Sequence, residues 1–173
     1  MRVLLVDDDP VSLKRMGRAL RKLGCQVVTA HDGASAQDKF FRKPFPVVIT
    51  DWEMPGIDGL EFCRHVRKAS LPAYSYLLVL SVRNTCEDQL AVLLAGADTL
   101  VSKSAGIEEL KVHMQAAERV LKIEQDFSES NRELLAMNQR LLRMSRLDPL
   151  MEIGNRLAFE EEFTPFHRLA AER

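Results

Sequence analysis

Two rhythms of apolar and polar residues alternate along the first hundred positions. Short, nearly unbroken apolar runs recur at Val3-Leu4-Leu5-Val6, Val27-Val28-Thr29, Val47-Val48-Ile49-Thr50, Leu77-Leu78-Val79-Leu80-Ser81 and, more weakly, Thr99-Leu100-Val101-Ser102. Runs this continuous suit strands covered on both faces. Helical spacing lies between them. Leu13, Met16, Leu20 and Leu23 form a stripe that Asp9-Pro10 opens, Asp9 as cap and Pro10 at the first helical position, and that Gly24 closes as the expected C-cap. Asp32-Gly33 starts a second helix reaching about Phe41, and Pro44 and Pro46 break the chain before the third strand. Asp58 with Glu61 predicts a capping box for a helix to about Lys68, its inward face formed by Leu60, Cys63 and Val66-Arg67. Thr85 with Asp88 predicts another, on a helix that carries Leu90, Leu93 and Leu94 and stops at Gly96. A β-α unit repeated five times predicts an α/β fold with a five-stranded, doubly wound parallel sheet.

From Gly106 the rhythm changes. No proline or glycine stands between Gly106 and Pro149, and Glu108 and Glu109 favour the first turn of a helix. Such a helix runs about 40 residues, roughly 60 Å at the helical rise. Ile107, Leu110, Met114 and Ala117 are its predicted contacts with the sheet. Beyond them Val120, Ile123, Phe127, Ser130, Leu134, Met137, Leu141 and Met144 alternate as a and d positions of a heptad repeat, with Ser130 the one polar member. A lone helix has no core to rest this stripe on, so a coiled-coil homodimer over 120–147 is predicted; a helix folded back on its own domain is the alternative. Flanking residues Glu124, Asn131, Asn138, Asp126, Glu133 and Arg140 leave parallel and antiparallel arrangements open. Asp148-Pro149 breaks the helix. A short helix over about 156–171, with Leu157, Phe159, Phe163, Phe166 and Leu169, reads as the opening of another domain. The organisation expected is therefore a domain over 1–122, a coiled helix over 120–147 and an incomplete lead-in over 148–173.

Composition narrows the function classes. A formal charge of -1 over 173 residues, with acids and bases intermixed, gives no reason to expect nucleic-acid binding. Cys25, Cys63 and Cys86 lack metal-site spacing and read as buried small residues in a reducing compartment. No signal peptide and no membrane-spanning apolar run is visible, so a cytoplasmic protein is expected.

The candidate chemistry stands at the strand ends. The first strand runs into Asp7-Asp8-Asp9, and the third delivers Asp51 just before the turn Met54-Pro55-Gly56. Groups at the carboxyl ends of parallel strands converge in one crevice. Carboxylates gathered there repel unless a hard cation neutralises them, which predicts Mg²⁺ held by Asp7, Asp8 and Asp51. Asp51 is the expected nucleophile for phosphoryl transfer. Ser81 and Lys103, at the ends of the last two strands, supply the hydroxyl and ammonium that the transferred group needs. Singly, each has a plain structural reading: strand-end aspartates make turns, Asp9 caps a helix, and a lone lysine is solvated. The set, all at one end of its strands, argues for a site.

These residues carry a resemblance. Residues 1 to about 122 resemble the receiver domain of two-component response regulators, a flavodoxin-like fold. The matching segments are Val6-Asp7-Asp8-Asp9, Asp51-Trp52-Glu53-Met54-Pro55-Gly56-Ile57-Asp58-Gly59, Leu80-Ser81, Ala95-Gly96-Ala97-Asp98 and Lys103. The resemblance implies that Asp51 accepts phosphate from a histidine kinase or phosphotransfer protein. It implies Mg²⁺ on Asp7 and Asp8, contacts of Ser81 and Lys103 with the phosphoryl group, and self-catalysed hydrolysis. Two positions depart from the family pattern. Leu100 stands where an aromatic residue usually rotates on phosphorylation, so signal is expected to travel through repacking along the 85–122 face. Ser104 stands where a proline with a cis bond usually follows the lysine. Glu53 and Arg83 flank the pocket as expected tuners of hydrolysis.

The stretch Asp148-Pro149-Leu150-Met151-Glu152-Ile153-Gly154-Asn155-Arg156-Leu157-Ala158-Phe159 is similar to the lead-in of GGDEF diguanylate cyclase domains, with Met151 and Ile153 departing from it. The GTP-binding signature does not occur, so these residues are not expected to make cyclic di-GMP. The resulting expectation is a phosphoacceptor receiver whose dimer geometry controls a diguanylate cyclase output domain. The alternative is a freestanding receiver acting as an interaction adaptor or phosphorelay shuttle. A DNA-binding regulator would need a basic helix-turn-helix after residue 122, and a dinucleotide-binding enzyme a glycine-rich loop after the first strand; neither occurs.

Overall fold

The side-chain alternation along each strand decides which helix covers which face. A computed structural model describes residues 1–146 except Ser70 and Asn84. In chain order it contains β1 (Arg2–Val6), α1 (Pro10–Lys22), β2 (Gln26–Ala30), α2 (Gly33–Arg42), β3 (Val47–Asp51), α3 (Gly59–Lys68), β4 (Tyr76–Ser81), α4 (Cys86–Leu94), β5 (Thr99–Ser102) and α5 (Ile107–Arg146). All strand pairs are parallel, in the order β2-β1-β3-β4-β5. The predicted doubly wound sheet is thus observed.

Leu4, Val6, Val48, Leu77 and Val79 point to one face, where α2, α3 and α4 cover them. Val3, Leu5, Val47, Ile49, Leu78 and Leu80 point to the other, beneath α1 and α5. Strands β1, β3 and β4 are buried on both sides, which accounts for their unbroken apolar runs. Between β1 and β3 the strand order reverses. At that reversal the loops leave the sheet in opposite directions and open a crevice at the carboxyl ends.

The helix ends follow local chemistry. Asp9 caps α1 through its carboxylate, which accepts from the Val11 and Ser12 amides at 3.0 Å each, and Pro10 occupies the first turn. The C-cap of α1 is Leu23 and not the predicted Gly24, which follows it at φ +80. Thr85 and Asp88 form the full capping box predicted for α4. Asp58 accepts from the Glu61 amide at 2.7 Å, the forward half of the box predicted for α3.

Leu60, Cys63 and Val66 of the predicted α3 face are buried, but α3 and α4 also pack through residues that the sequence did not single out. In α4 the leucines turn out: Leu90 and Leu93 are 58% exposed and Leu94 is 78% exposed. Val92 and the small residues Ala95 and Ala97 meet the sheet instead, so the run of apolar letters concealed which side packs. In α3 Phe62 is fully buried and stacks edge-on against Phe40, a contact absent from the predicted face. Arg67 uses that face for hydrogen bonds to the Gly96 and Ser75 carbonyls and to Asp98. Cys63 is buried as expected, whereas Cys25 is half-buried and Cys86 exposed.

In α5, Leu110, Met114 and Ala117 are buried against the sheet, while Ile107 is 39% exposed. Met1–Gln125 form one compact unit, and Asp126 begins a second. Of that second unit, the described residues through Arg146 are helical. Ile123, Phe127, Leu134, Met137 and Leu141 are each more than half exposed. The predicted lead-in over 148–173, like Leu147, lies outside the described residues. Among those described, no helix is long and apolar enough to cross a membrane.

Candidate phosphoacceptor site

β1 and β3 are neighbours, so their strand-end carboxylates meet. Ligand oxygens of Asp7, Asp8 and Asp51 all lie within 4.8 Å of one another. Asp7 and Asp51 are buried, and Asp8 is exposed at the rim. Register sets this arrangement: Val6 pairs with Thr50, one residue short of both acids. Gly59, at the start of α3, allows the return of the chain. A Cβ there would stand 2.0 Å from the Asp51 carbonyl oxygen. No side chain fits that gap, so glycine lets α3 begin hard against the end of β3.

Lys103 brings the opposite charge. Its ammonium hydrogen-bonds Asp51 and lies 3.4 Å from Asp7 Oδ2. Burial works against the lysine charge, but Asp51 and then Asp7 together hold its pKa above the ordinary value. Asp51 shifts upward as well: loss of water is the largest influence, and Lys103 only partly counters it. Three carboxylates against one ammonium leave a surplus of negative charge in a largely dry crevice. An all-oxygen donor set with such a surplus fits a hard divalent cation.

Asp7 is held at both oxygens. Oδ1 accepts from the Asp9 amide at 2.9 Å, and Oδ2 accepts from the Ser12 hydroxyl at 2.6 Å. Ser81 ends β4, one residue beyond the partner of Asp51, and is buried. Its Oγ accepts from the Arg83 amide at 3.1 Å, which leaves the hydroxyl hydrogen out of that bond. Arg83 in turn reaches Glu53 at 3.0 Å, with both side chains about three-quarters exposed. Solvent screening leaves such a pair worth about 0–1 kcal/mol.

Residues 3–115 match the profile of the response regulator receiver domain. The chain belongs to this family. Within the receiver family, the response regulator MprA of Mycobacterium avium is 38% identical over 128 residues, covering 73% of this chain and 54% of that protein. The chain therefore spans about half the length of MprA and the similar regulators it matches. Among solved structures, the chemotaxis protein CheY4 of Vibrio cholerae superposes with a TM-score of 0.63 at 30% identity, over 67% of this chain and 97% of that one. A "probable two-component system response regulator/GGDEF domain protein" superposes at 0.66 with 27% identity, over 70% of this chain and 50% of that one.

Asp7, Asp8, Asp51 and Lys103 are thus brought together, and Ser81 stands at the end of the adjoining strand. Both departures from the receiver pattern take definite form. Leu100 is half-buried and packs against the core cluster of α2, α3 and α4. The Lys103–Ser104 peptide is trans. Two residues went unnoticed in the sequence, Ser12 and Arg15, both on α1. Ser12 carried a faint signal, a hydroxyl amid the apolar stripe; exposed Arg15 carried none.

Proposed function

We propose that this receiver takes a phosphoryl group from the phosphohistidine of a kinase or phosphotransfer protein onto Asp51. An Asp51 carboxylate oxygen forms the new P–O bond as the donor P–N bond breaks, and the imidazole nitrogen keeps the electron pair and takes up a proton. Lys103 and the Ser81 hydroxyl donate to the phosphoryl oxygens, so charge that develops there meets donors already in place. Asp7, Asp8 and Asp51 would hold Mg²⁺, whose charge would offset that of the transferred group. Hydrolysis reverses the modification: water attacks phosphorus, inorganic phosphate leaves, and the Asp51 carboxylate returns. The observation that carries this reading is a buried strand-end carboxylate bonded to one ammonium amid a surplus of negative charge.

The deciding experiment is intact-mass spectrometry after incubation with phosphoramidate and Mg²⁺. The wild type should gain the mass of one phosphoryl group, and the Asp51→Asn variant none. Equal gain in both would remove Asp51 from its role, and no gain in the wild type with any divalent cation would sink the reading.

The finer organisation belongs to the same proposal: a receiver over 1–122, a homodimeric coil over 120–147 and a GGDEF lead-in over 148–173. The exposed heptad positions of α5 support the coil. The likeness of residues 148–159 to a GGDEF lead-in supports a diguanylate cyclase output, and so does the match to a structure whose name joins both domains. A protein carrying this chain with a complete GGDEF domain should form cyclic di-GMP faster once Asp51 is phosphorylated. Equal rates in its Asp51→Asn variant would break that link.

A further inference from the structure

Lys103 reaches Asp51 and Asp7 from a turn that contains no proline. Its backbone is gripped from two sides. The Lys103 amide donates to the Ser81 carbonyl of β4 at 2.8 Å, and the Lys103 carbonyl accepts from Arg15 Nη2 of α1 at 2.5 Å. The turn itself is closed locally: the Ala105 amide donates to the Ser102 carbonyl at 3.0 Å, and the Ser104 amide to Ser102 Oγ at 3.2 Å. Those contacts shape the turn but tie it to nothing outside itself. The Ser81 bond continues the β4–β5 ladder and holds only the near side. Ala105 packs on the core beneath α1 and α5, but among the described hydrogen bonds Arg15 alone links the Lys103 carbonyl to another element.

We infer that Arg15 is a positioning residue for phosphoryl transfer: it fixes the Lys103 carbonyl and so aims the Lys103 ammonium at the Asp51 carboxylate. The inference rests on the phosphoacceptor reading above. A lysine stem has four rotatable bonds, so the head of Lys103 can be placed only as well as its backbone is. A guanidinium bound to a carbonyl makes a charge-assisted bond with fixed fork geometry, well suited to the task. Ser12 sits one helical turn earlier on the same side of α1 and grips Asp7. One rigid helix thus sets the spacing between the acidic strand end and the lysine turn.

The test measures, on the full chain, the rate of phosphorylation by phosphoramidate, the affinity for beryllofluoride and the affinity for Mg²⁺. Arg15→Met removes the donor with little change of bulk, and Arg15→Lys keeps the charge without the fork. Arg15→Met should lower the phosphorylation rate and the beryllofluoride affinity by roughly three- to tenfold, as loss of an exposed charge-assisted bond implies. Mg²⁺ affinity should stay within about twofold, because Arg15 touches none of the carboxylates, and Arg15→Lys should fall between. On a Lys103→Ala background, Arg15→Met should have no further effect on beryllofluoride binding. An unchanged Arg15→Met protein overturns the inference, and so does an Arg15 effect that persists without the lysine side chain. If Arg15→Met does not fold, the same comparison with Arg15→Lys decides. A wild type that takes up neither phosphoryl group nor beryllofluoride would instead bring down the phosphoacceptor reading, and the inference with it.

Discussion

The Ser12 hydroxyl donates to Asp7 Oδ2 at 2.6 Å, inside the protein and five residues along the chain from the acid. The Asp9 amide holds the other oxygen, so Asp7 is oriented before any cation arrives. Ser12→Ala removes one of these restraints and leaves Asp7 Oδ2 with the Lys103 ammonium at 3.4 Å in place of a close hydroxyl donor. Partners of this kind typically change metal affinity by 10–100-fold, and because the Asp9 amide remains, a weakening of roughly tenfold is expected. Titration of Trp52 fluorescence with Mg²⁺ reads the change directly. Affinity equal to wild type would mean that Asp7 needs no such support.

Asp51 costs the fold stability in the absence of a cation. Its pKa is raised, chiefly by burial. A raised folded value means its contribution is present below the ordinary pKa and is lost as pH rises through the folded one. At neutral pH the ionised group therefore counts against the native state. Asp51→Asn should melt higher than wild type without divalent cations. Mg²⁺ should raise the wild-type midpoint more than that of the variant.

The division of labour between strand and helix explains how much could be read beforehand. Strand residues such as Leu77 and Val79 meet the same buried surroundings wherever the sheet goes, so composition alone reveals them. Asp7, Asp51, Ser81 and Lys103 inherit their place from the strand ends, and their convergence follows from parallel topology. Ser12 and Arg15 act across the chain. Arg15 meets a carbonyl 88 residues away, and no local pattern encodes that meeting. The outward leucines of α4 have a related cause: its apolar residues nearly encircle the helix, so spacing could not choose a face.

At the other end of the sheet, Asp98 is the hub of a half-buried network. Its Oδ2 accepts from Arg67 at 2.8 Å and from the Leu77 amide at 2.7 Å, while Oδ1 accepts from the Tyr74 hydroxyl. Burial, followed by Asp98 itself, pushes the Tyr74 phenol well above its ordinary pKa. Asp98→Ala strands the Leu77 amide and the Arg67 charge and should cost about 2–3 kcal/mol in urea unfolding. Phosphoryl uptake should survive, because the network stands where β4 and β5 begin and the acids stand where the strands end. Loss of uptake in a folded Asp98→Ala protein would show that the two ends communicate.

Gly59 offers a harsher test of site geometry. Any side chain there meets the Asp51 carbonyl at 2.0 Å, so Gly59→Ala must move either α3 or the β3 backbone. Overpacking of this kind costs about 1–3 kcal/mol. A folded variant should show slower phosphorylation, whereas a full wild-type rate would mean that α3 yields and β3 does not.

The exposed seam of α5 makes the final prediction. Phe127 and Leu134 are 68% and 66% exposed, at adjacent a positions, and fully burying one such side chain contributes about 1.5–3 kcal/mol. In a homodimer each substitution acts twice. Phe127→Ser combined with Leu134→Ser should convert a dimer to a monomer in analytical ultracentrifugation at micromolar concentration. It should also lower the helical signal in circular dichroism, because the distal turns of α5 would lose the partner that offsets their ordering entropy. Phosphorylation at Asp51 should persist in the monomer, since every proposed site residue lies within Met1–Gln125. A wild type that is monomeric with α5 fully helical would remove the coil. A double variant that stays dimeric would move the contact elsewhere on the chain, with the outward leucines of α4 the next surface to substitute.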